Sequence, residues 1–348
     1  MRPCVRCASV HGYVDVAESL GLEPARMLER VGLDVADLAD PDRWVPAVAV
    51  ARLLELSATE SGREDFGLQL AQSRRLSTVG PLSVVLREEP DLRSALRLLT
   101  RFEHSYNQVL RITLTEADGA ATMLVRLEFG EPAPTRQALE LAVAAFLGLV
   151  RRLRHPQWQP RAVCFTHAAP ADLTAHRSLL GPVLRFDHEF TGLVFAVADL
   201  ASANSLAAPD DPLLRTYSRR VLRSLPPPPA PHLVDRVREL VQVLLPLGSC
   251  TMPQVARTLG VTRRTLHRQL DAEQQSFAAI VNDTRATLAE RYLAVDRYTV
   301  SDIADLLGFS AASAFARWFR RQFSTSPTAW RQAARQPPLP AETAVAGR

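Results

Sequence analysis

Two stretches in the last third of the chain repeat one another, and that repeat narrows the folds open to it. Ala256-Arg257-Thr258-Leu259-Gly260-Val261-Thr262 matches Ala304-Asp305-Leu306-Leu307-Gly308-Phe309-Ser310 at an offset of 48. Beyond them, Leu266-x-Arg268-x-Leu270 matches Phe315-x-Arg317-x-Phe319 at an offset of 49, which puts one extra residue early in the second helix of the second copy. Each copy reads as helix, tight turn, helix. The small Ala lets two helices cross closely, the Gly four residues later turns the chain where φ must be positive, and Thr262 or Ser310 is expected to N-cap the next helix. Many paired helices bind nothing, so one such unit says little. Two of them, joined by a helix from about Phe277 to Val295, can present both second helices to successive major grooves roughly 34 Å apart.

At 100° per residue, Leu266 and Leu270 face the core of the first unit. Arg264, His267 and Arg268 then point outward, with Arg263 at the margin of the first turn. Arg can pair bidentately with guanine O6 and N7, and His267 can donate or accept. In the second unit Phe315 and Phe319 face inward, leaving Ser313, Ala316, Arg317 and Arg320 outside with Arg321 beside them. Its leading half, Ser310-Ala311-Ala312-Ser313-Ala314, has few groups that read bases. The first unit is therefore expected to read sequence, and the second to hold phosphates and touch thymine methyls. The plainer alternative is a solvated Arg face paired internally, for instance to Asp302 or Asp305.

The charge follows the same division. All 41 basic residues are Arg, and the net charge is only +4. Residues 1–230 carry 26 Arg against 27 acids, net −1, whereas residues 231–348 carry 15 against 10, net +5. Between them runs Pro226-Pro227-Pro228-Pro229-Ala230-Pro231, which cannot be helix because consecutive prolines lack N–H donors and hold their neighbours extended. As polyproline II it is a spacer of roughly 19 Å. The expected division is a domain at 1–225, a linker at 226–231, a second domain at 232–335 and a disordered tail at 336–348.

Hydrophobic content of 47% and charged content of 22% exclude a chain disordered throughout. The longest apolar run, Leu139 to Val150, is broken by Glu140 and too short to span a membrane. Met1 to Val16 lacks the apolar core of a signal peptide, and Cys4, Cys7, Cys164 and Cys250 are too few and scattered for a disulfide framework. The expectation is a cytoplasmic protein without membrane contact.

The first domain mixes periods. Pro46 to Thr59 and the segment through Leu92, Leu96, Leu98 and Leu99 read as helices. Leu110, Ile112 and Leu114, then Asp118-Gly119, then Met123, Val125, Leu127 and Phe129 read as a hairpin. A long helix at Gln137–Leu153, strands near Ala162–Thr166 and Gly192–Val197, and a helix at Pro212–Leu225 follow. Elements in blocks predict an α+β domain. Its chemistry is sparse: no Gly-x-Ser-x-Gly, His-Glu-x-x-His, Walker or Rossmann pattern occurs, so no catalytic residues, metal or cofactor are predicted. Cys4-Val5-Arg6-Cys7 has ligand spacing but no second pair, and reads as chance spacing at a frayed terminus. His104, His155, His167, His176 and His188 read as core or surface residues. The segment Arg101 to Asn107 suits either a ligand-pocket wall or a half-buried helix end, and effector-binding residues stay unassigned.

Leu259-Gly260-Val261-Thr262 through Leu270, Ser276-Phe277, Arg285, Tyr292-Leu293, Ile303 through Phe319, and Ser326-Pro327-x-x-Trp330-Arg331 resemble the C-terminal domain of AraC/XylS transcription regulators. The family often has Gly where Ser324 stands and Tyr where Trp330 stands, and a more polar second recognition helix. Gly32-Leu33, Asp40-Pro41, Val45-Pro46, Phe66-Gly67-Leu68, Val163-x-Phe165-x-His167 and Gly181-Pro182-Val183 are similar to the arabinose-binding-like N-terminal region of one branch. The resemblance implies an effector-sensing or dimerising α+β domain and an all-α domain of two helix-turn-helix units joined by a long helix. It implies a DNA-binding regulator, commonly an activator, with double-stranded DNA, a small-molecule effector, RNA polymerase and a second copy as partners. An enzyme or ligand-binding protein with a helical scaffold, and an effector-independent DNA-binding protein, are the alternatives.

Overall fold

The computed structural model describes residues 3–117, 119–207, 212–225, 233–246, 248, 250–294 and 298–335. The proline run 226–231, the tail 336–348 and Asp118 of the hairpin turn lie outside the described residues. The chain divides into two compact units, Met1–Pro229 and Ala230–Arg348.

Unit 1 is α+β. Strands β1 (Cys4–Arg6) and β2 (Trp44–Pro46) pair antiparallel with Val5 opposite Val45, both buried. The expectation of a frayed end at Cys4–Cys7 was therefore wrong. Burial of Val5, Cys7 and Val10 against Tyr13 and Leu54 offsets the entropy of ordering this segment, and the Arg6 guanidinium pairs with Asp42. Five further strands are β3 (Leu110–Ala117), β4 (Ala120–Leu127), β5 (Ala162–Cys164), β6 (Leu184–Arg185) and β7 (Gly192–Ala196). They form one sheet in the order β3-β4-β7-β5-β6, antiparallel except for the β5–β6 pair. The β3–β4 hairpin closes with Ala117 opposite Ala120, leaving two residues for the turn, and Gly119 takes φ 72°.

The long helix Arg136–Leu153 packs Val143, Leu147, Val150 and Leu153 into the core. Its first turn is locked to the helix Phe66–Gln72. Gln137 accepts from the Gly67 N–H at 2.8 Å and donates to the Glu64 carbonyl at 2.8 Å. A Cβ on Gly67 would fall 2.3 Å from the Gln137 carbonyl oxygen, so only glycine permits this approach. One turn on, Glu140 is fully enclosed, 3.2 Å from Nε2 of buried His176, 3.4 Å from Nε2 of His167 and 3.5 Å from Nε of Arg136.

Unit 2 is helical in the described residues: Leu233–Leu244, Met252–Thr258, Arg263–Ala272, Phe277–Ala294, Val300–Leu306, Ala312–Phe323 and Pro327–Arg335. The repeat reappears in its hydrogen bonds. Val261 N–H donates to the Ala256 carbonyl and Phe309 N–H to the Ala304 carbonyl, each at 2.9 Å, around Gly260 (φ 71°) and Gly308 (φ 68°). These are the helix-ending bonds that a left-handed residue makes available. Thr262 caps as expected, its Oγ1 accepting from Thr265 N–H at 3.1 Å. Ser310 does not cap. The second helix starts at Ala312 with Ala311 in the N-cap position and no side-chain cap bond. The extra residue therefore lies in the turn, before the helix, and carries Ser310 out of reach. The joining helix, Phe277–Ala294, buries Ile280, Leu288, Ala289, Tyr292 and Leu293 among the others.

Candidate nucleic-acid interface and ligand cavity

On the helix Arg263–Ala272, Leu266 and Leu270 are buried, and Arg263, Arg264, His267 and Arg268 are exposed. On Ala312–Phe323, Phe315, Trp318 and Phe319 are buried, and Ser313, Arg317, Arg320 and Arg321 are exposed. All eight residues expected to touch DNA thus stand on the solvent side of two helices. Ala316 is only half-exposed. Among the described residues the six arginines form no ion pair. Asp302 instead closes a capping box with Thr299, whose N–H and hydroxyl hold its carboxyl below the usual carboxylate range. His267 is the exception: its Nδ1 lies 2.7 Å from Oδ2 of Asp271, so one ring nitrogen is taken and Nε2 remains to face outward.

Two arginines of the same unit have a different task. Arg285, on the joining helix, donates Nε to the Leu307 carbonyl at 2.9 Å and Nη2 to the Gly308 carbonyl at 3.2 Å. Its guanidinium lies 4.4 Å from the Phe309 ring centre. It satisfies carbonyls at the end of the helix Val300–Leu306 and fixes the second turn to the joining helix. Arg331 does the same at the other end, donating to the Leu293 and Tyr298 carbonyls at 3.2 and 2.8 Å. Neither bond is visible in the local pattern, because each partner is more than twenty residues away.

Unit 1 contains a cavity of about 260 Å³ under the helix Arg136–Leu153. Its wall is mostly apolar, with Val50, Leu54, Phe129, Leu141, Phe146 and Leu149 among the lining residues. Of the segment Arg101–Asn107, Tyr106 and Asn107 reach it and the others do not. Among the described residues no group of three His, Cys, Asp or Glu side chains is placed to hold a metal ion. No described helix is long and apolar enough to cross a membrane.

The family described as the arabinose-binding domain of AraC transcription regulators, N-terminal, matches residues 21–204, and a helix-turn-helix domain family matches residues 255–333. The HTH-type transcriptional regulator VirS of Mycobacterium tuberculosis is 31% identical over 94% of this chain and 96% of its own. The chain belongs to the AraC family of transcription regulators. Also similar to this AraC-family chain is the ornithine utilization regulator of Pseudomonas aeruginosa, at 24% identity over 94% of this chain and 96% of that one. The transcriptional activator NphR of a Rhodococcus species is 31% identical over 28% of this chain and 30% of its own. The arginine-bearing helices of this AraC-family regulator fall inside the helix-turn-helix match, and the cavity falls within the unit that carries the arabinose-binding match.

Proposed function

We propose that this regulator reads an operator through the first helix-turn-helix unit and anchors itself through the second. Arg263, Arg264, His267 and Arg268 meet base edges in one major groove, while Ser313, Arg317, Arg320 and Arg321 meet phosphates and thymine methyls in the next. The observation that carries this is the set of six exposed arginines, without a carboxylate partner among the described residues, on two repeated helices. A protein surface that neutralises its own arginines gains nothing from phosphates; this one keeps them available. In this reading residues 1–225 sense a small molecule and form the homodimer, 226–231 link them, and 232–335 bind DNA. Ligand acts by binding the DNA-competent arrangement better than the other. The similarity to a named activator favours recruitment of RNA polymerase over exclusion of it, and a cytoplasmic location suits contact with DNA.

The test is binding of the full chain to DNA upstream of its own gene across a salt series. Three arginines on phosphates give log K against log salt a slope of roughly −3. A flat response, or binding equal to that of unrelated DNA, would refute the proposal.

A further inference from the structure

We propose that the unit 1 cavity binds an amphipathic monocarboxylate, its apolar body among the helices and its carboxylate on Arg74. This rests on the reading that unit 1 holds the effector, and it names the chemistry of that effector. The lining includes four arginines, Arg74, Arg75, Arg151 and Arg152, and neither Asp nor Glu. Three of the four are either committed or outside. Arg151 donates to the Trp158 and Leu179 carbonyls and to Gln159 with all three of its nitrogens, and Arg75 and Arg152 are exposed.

Arg74 is neither. Its Nη1 donates to the Ala8 carbonyl at 2.8 Å, and its Nε is closed to water without a hydrogen-bond partner. The residue as a whole is half-buried and lines the cavity. Burial lowers its pKa to about 10, which leaves it cationic at neutral pH. A desolvated guanidinium without a counter-charge is costly, and its Nη2 side, with neither Ala8 nor the closed-off Nε in the way, is the edge left to receive a carboxylate oxygen in a charge-assisted hydrogen bond. One such edge asks for one carboxylate. The rest of the lining is mostly apolar, so the body of the molecule must be apolar too.

The space is kept by small residues. Ala138, Ala142, Ala145 and Gly148 line the cavity from one face of the long helix, and a Cβ on Gly148 would meet nothing within 4 Å. Glycine in a helix interior costs stability relative to alanine, and here no steric contact demands it. The volume lies below the roughly 300–1,000 Å³ of sites for drug-sized ligands, which limits the occupant to a small acid.

Calorimetric titration of the full chain with decanoate and with decanol, both below micelle formation, tests this. Decanoate should bind once per chain and decanol roughly tenfold more weakly or worse, the difference being the charge-assisted bonds. Arg74→Gln should bring decanoate down to the level of decanol, and Gly148→Leu, which fills the space from the long helix, should abolish both. Equal binding of the two probes, no saturable binding of decanoate, or unchanged binding by Arg74→Gln would overturn the proposal. Operator binding with and without decanoate separates the two readings. Saturable decanoate binding that leaves operator affinity unchanged keeps the ligand class and removes its effector role; intact operator binding without decanoate binding removes the ligand class alone.

Discussion

The two helix-turn-helix units share one backbone turn and differ in almost everything attached to it. Both turn on a left-handed glycine with the same hydrogen bonds. The first recognition helix is capped by a side chain, buries two leucines and exposes three arginines and a histidine. The second is uncapped, starts with small residues and buries Phe315, Trp318 and Phe319 in an aromatic cluster, with Phe315 and Trp318 rings stacked at 6.1 Å. A turn can therefore be repeated for geometry while the surface and the core it supports diverge. The first unit puts its polar groups at the leading end of its helix; the second concentrates its buried surface and keeps its arginines toward the trailing end.

That contrast can be broken at several levels. The largest effect is expected from the cores: Phe315→Ala should destabilise unit 2 by about 3–5 kcal/mol and Leu266→Ala by about 2–5 kcal/mol in chemical denaturation. If Phe315→Ala costs clearly less than Leu266→Ala, the aromatic cluster is not the anchor of the second unit. Next come the reading roles. Arg264→Ala should cost about 1–3 kcal/mol of binding and relax preference at one base pair, whereas Arg320→Ala should weaken every sequence alike. Identical losses on all DNAs for both variants would show that the units do not divide the work. The smallest effect is at the caps: Thr262→Ala should cost about 1 kcal/mol, and Ala311→Ser should recover a similar amount. No gain at Ala311 would mean that the second helix start is set by packing and not by capping.

The repeat, the glycines and the outward arginines were legible because helices have a fixed period and a left-handed turn favours one residue type. The start of the second recognition helix was not, since a one-residue insertion can fall on either side of a cap. Residues Cys4–Arg6 gave no strand signal, because three residues are too few for alternation and their partner, Trp44–Pro46, lies forty residues on. Arg74 was illegible for a related reason. Its neighbours in sequence, Ser73 and Arg75, are polar, and only tertiary packing, with the Ala8 carbonyl on its Nη1, closes its Nε from water. Ser324, where the family often has glycine, sits at φ 57° after the second recognition helix, so the departure visible in the sequence marks a real conformational demand.

His167, beside the enclosed Glu140, couples unit 1 to the proton concentration. Burial is the main reason that the His167 pKa lies below 6.5; Arg136 and His176 push the same way, and the Ala168 carbonyl and Glu140 offset it in part. A histidine with a depressed folded pKa binds fewer protons folded than unfolded, so its contribution is complete above about pH 6.5 and is lost as pH falls through the lower, folded value. Acid therefore works against the fold at the helix that roofs the cavity, and a His167→Gln chain should lose less stability between neutral and mildly acidic buffer than the parent. A mildly acidic surrounding would reach this chain as a loosened roof, before any ligand arrives.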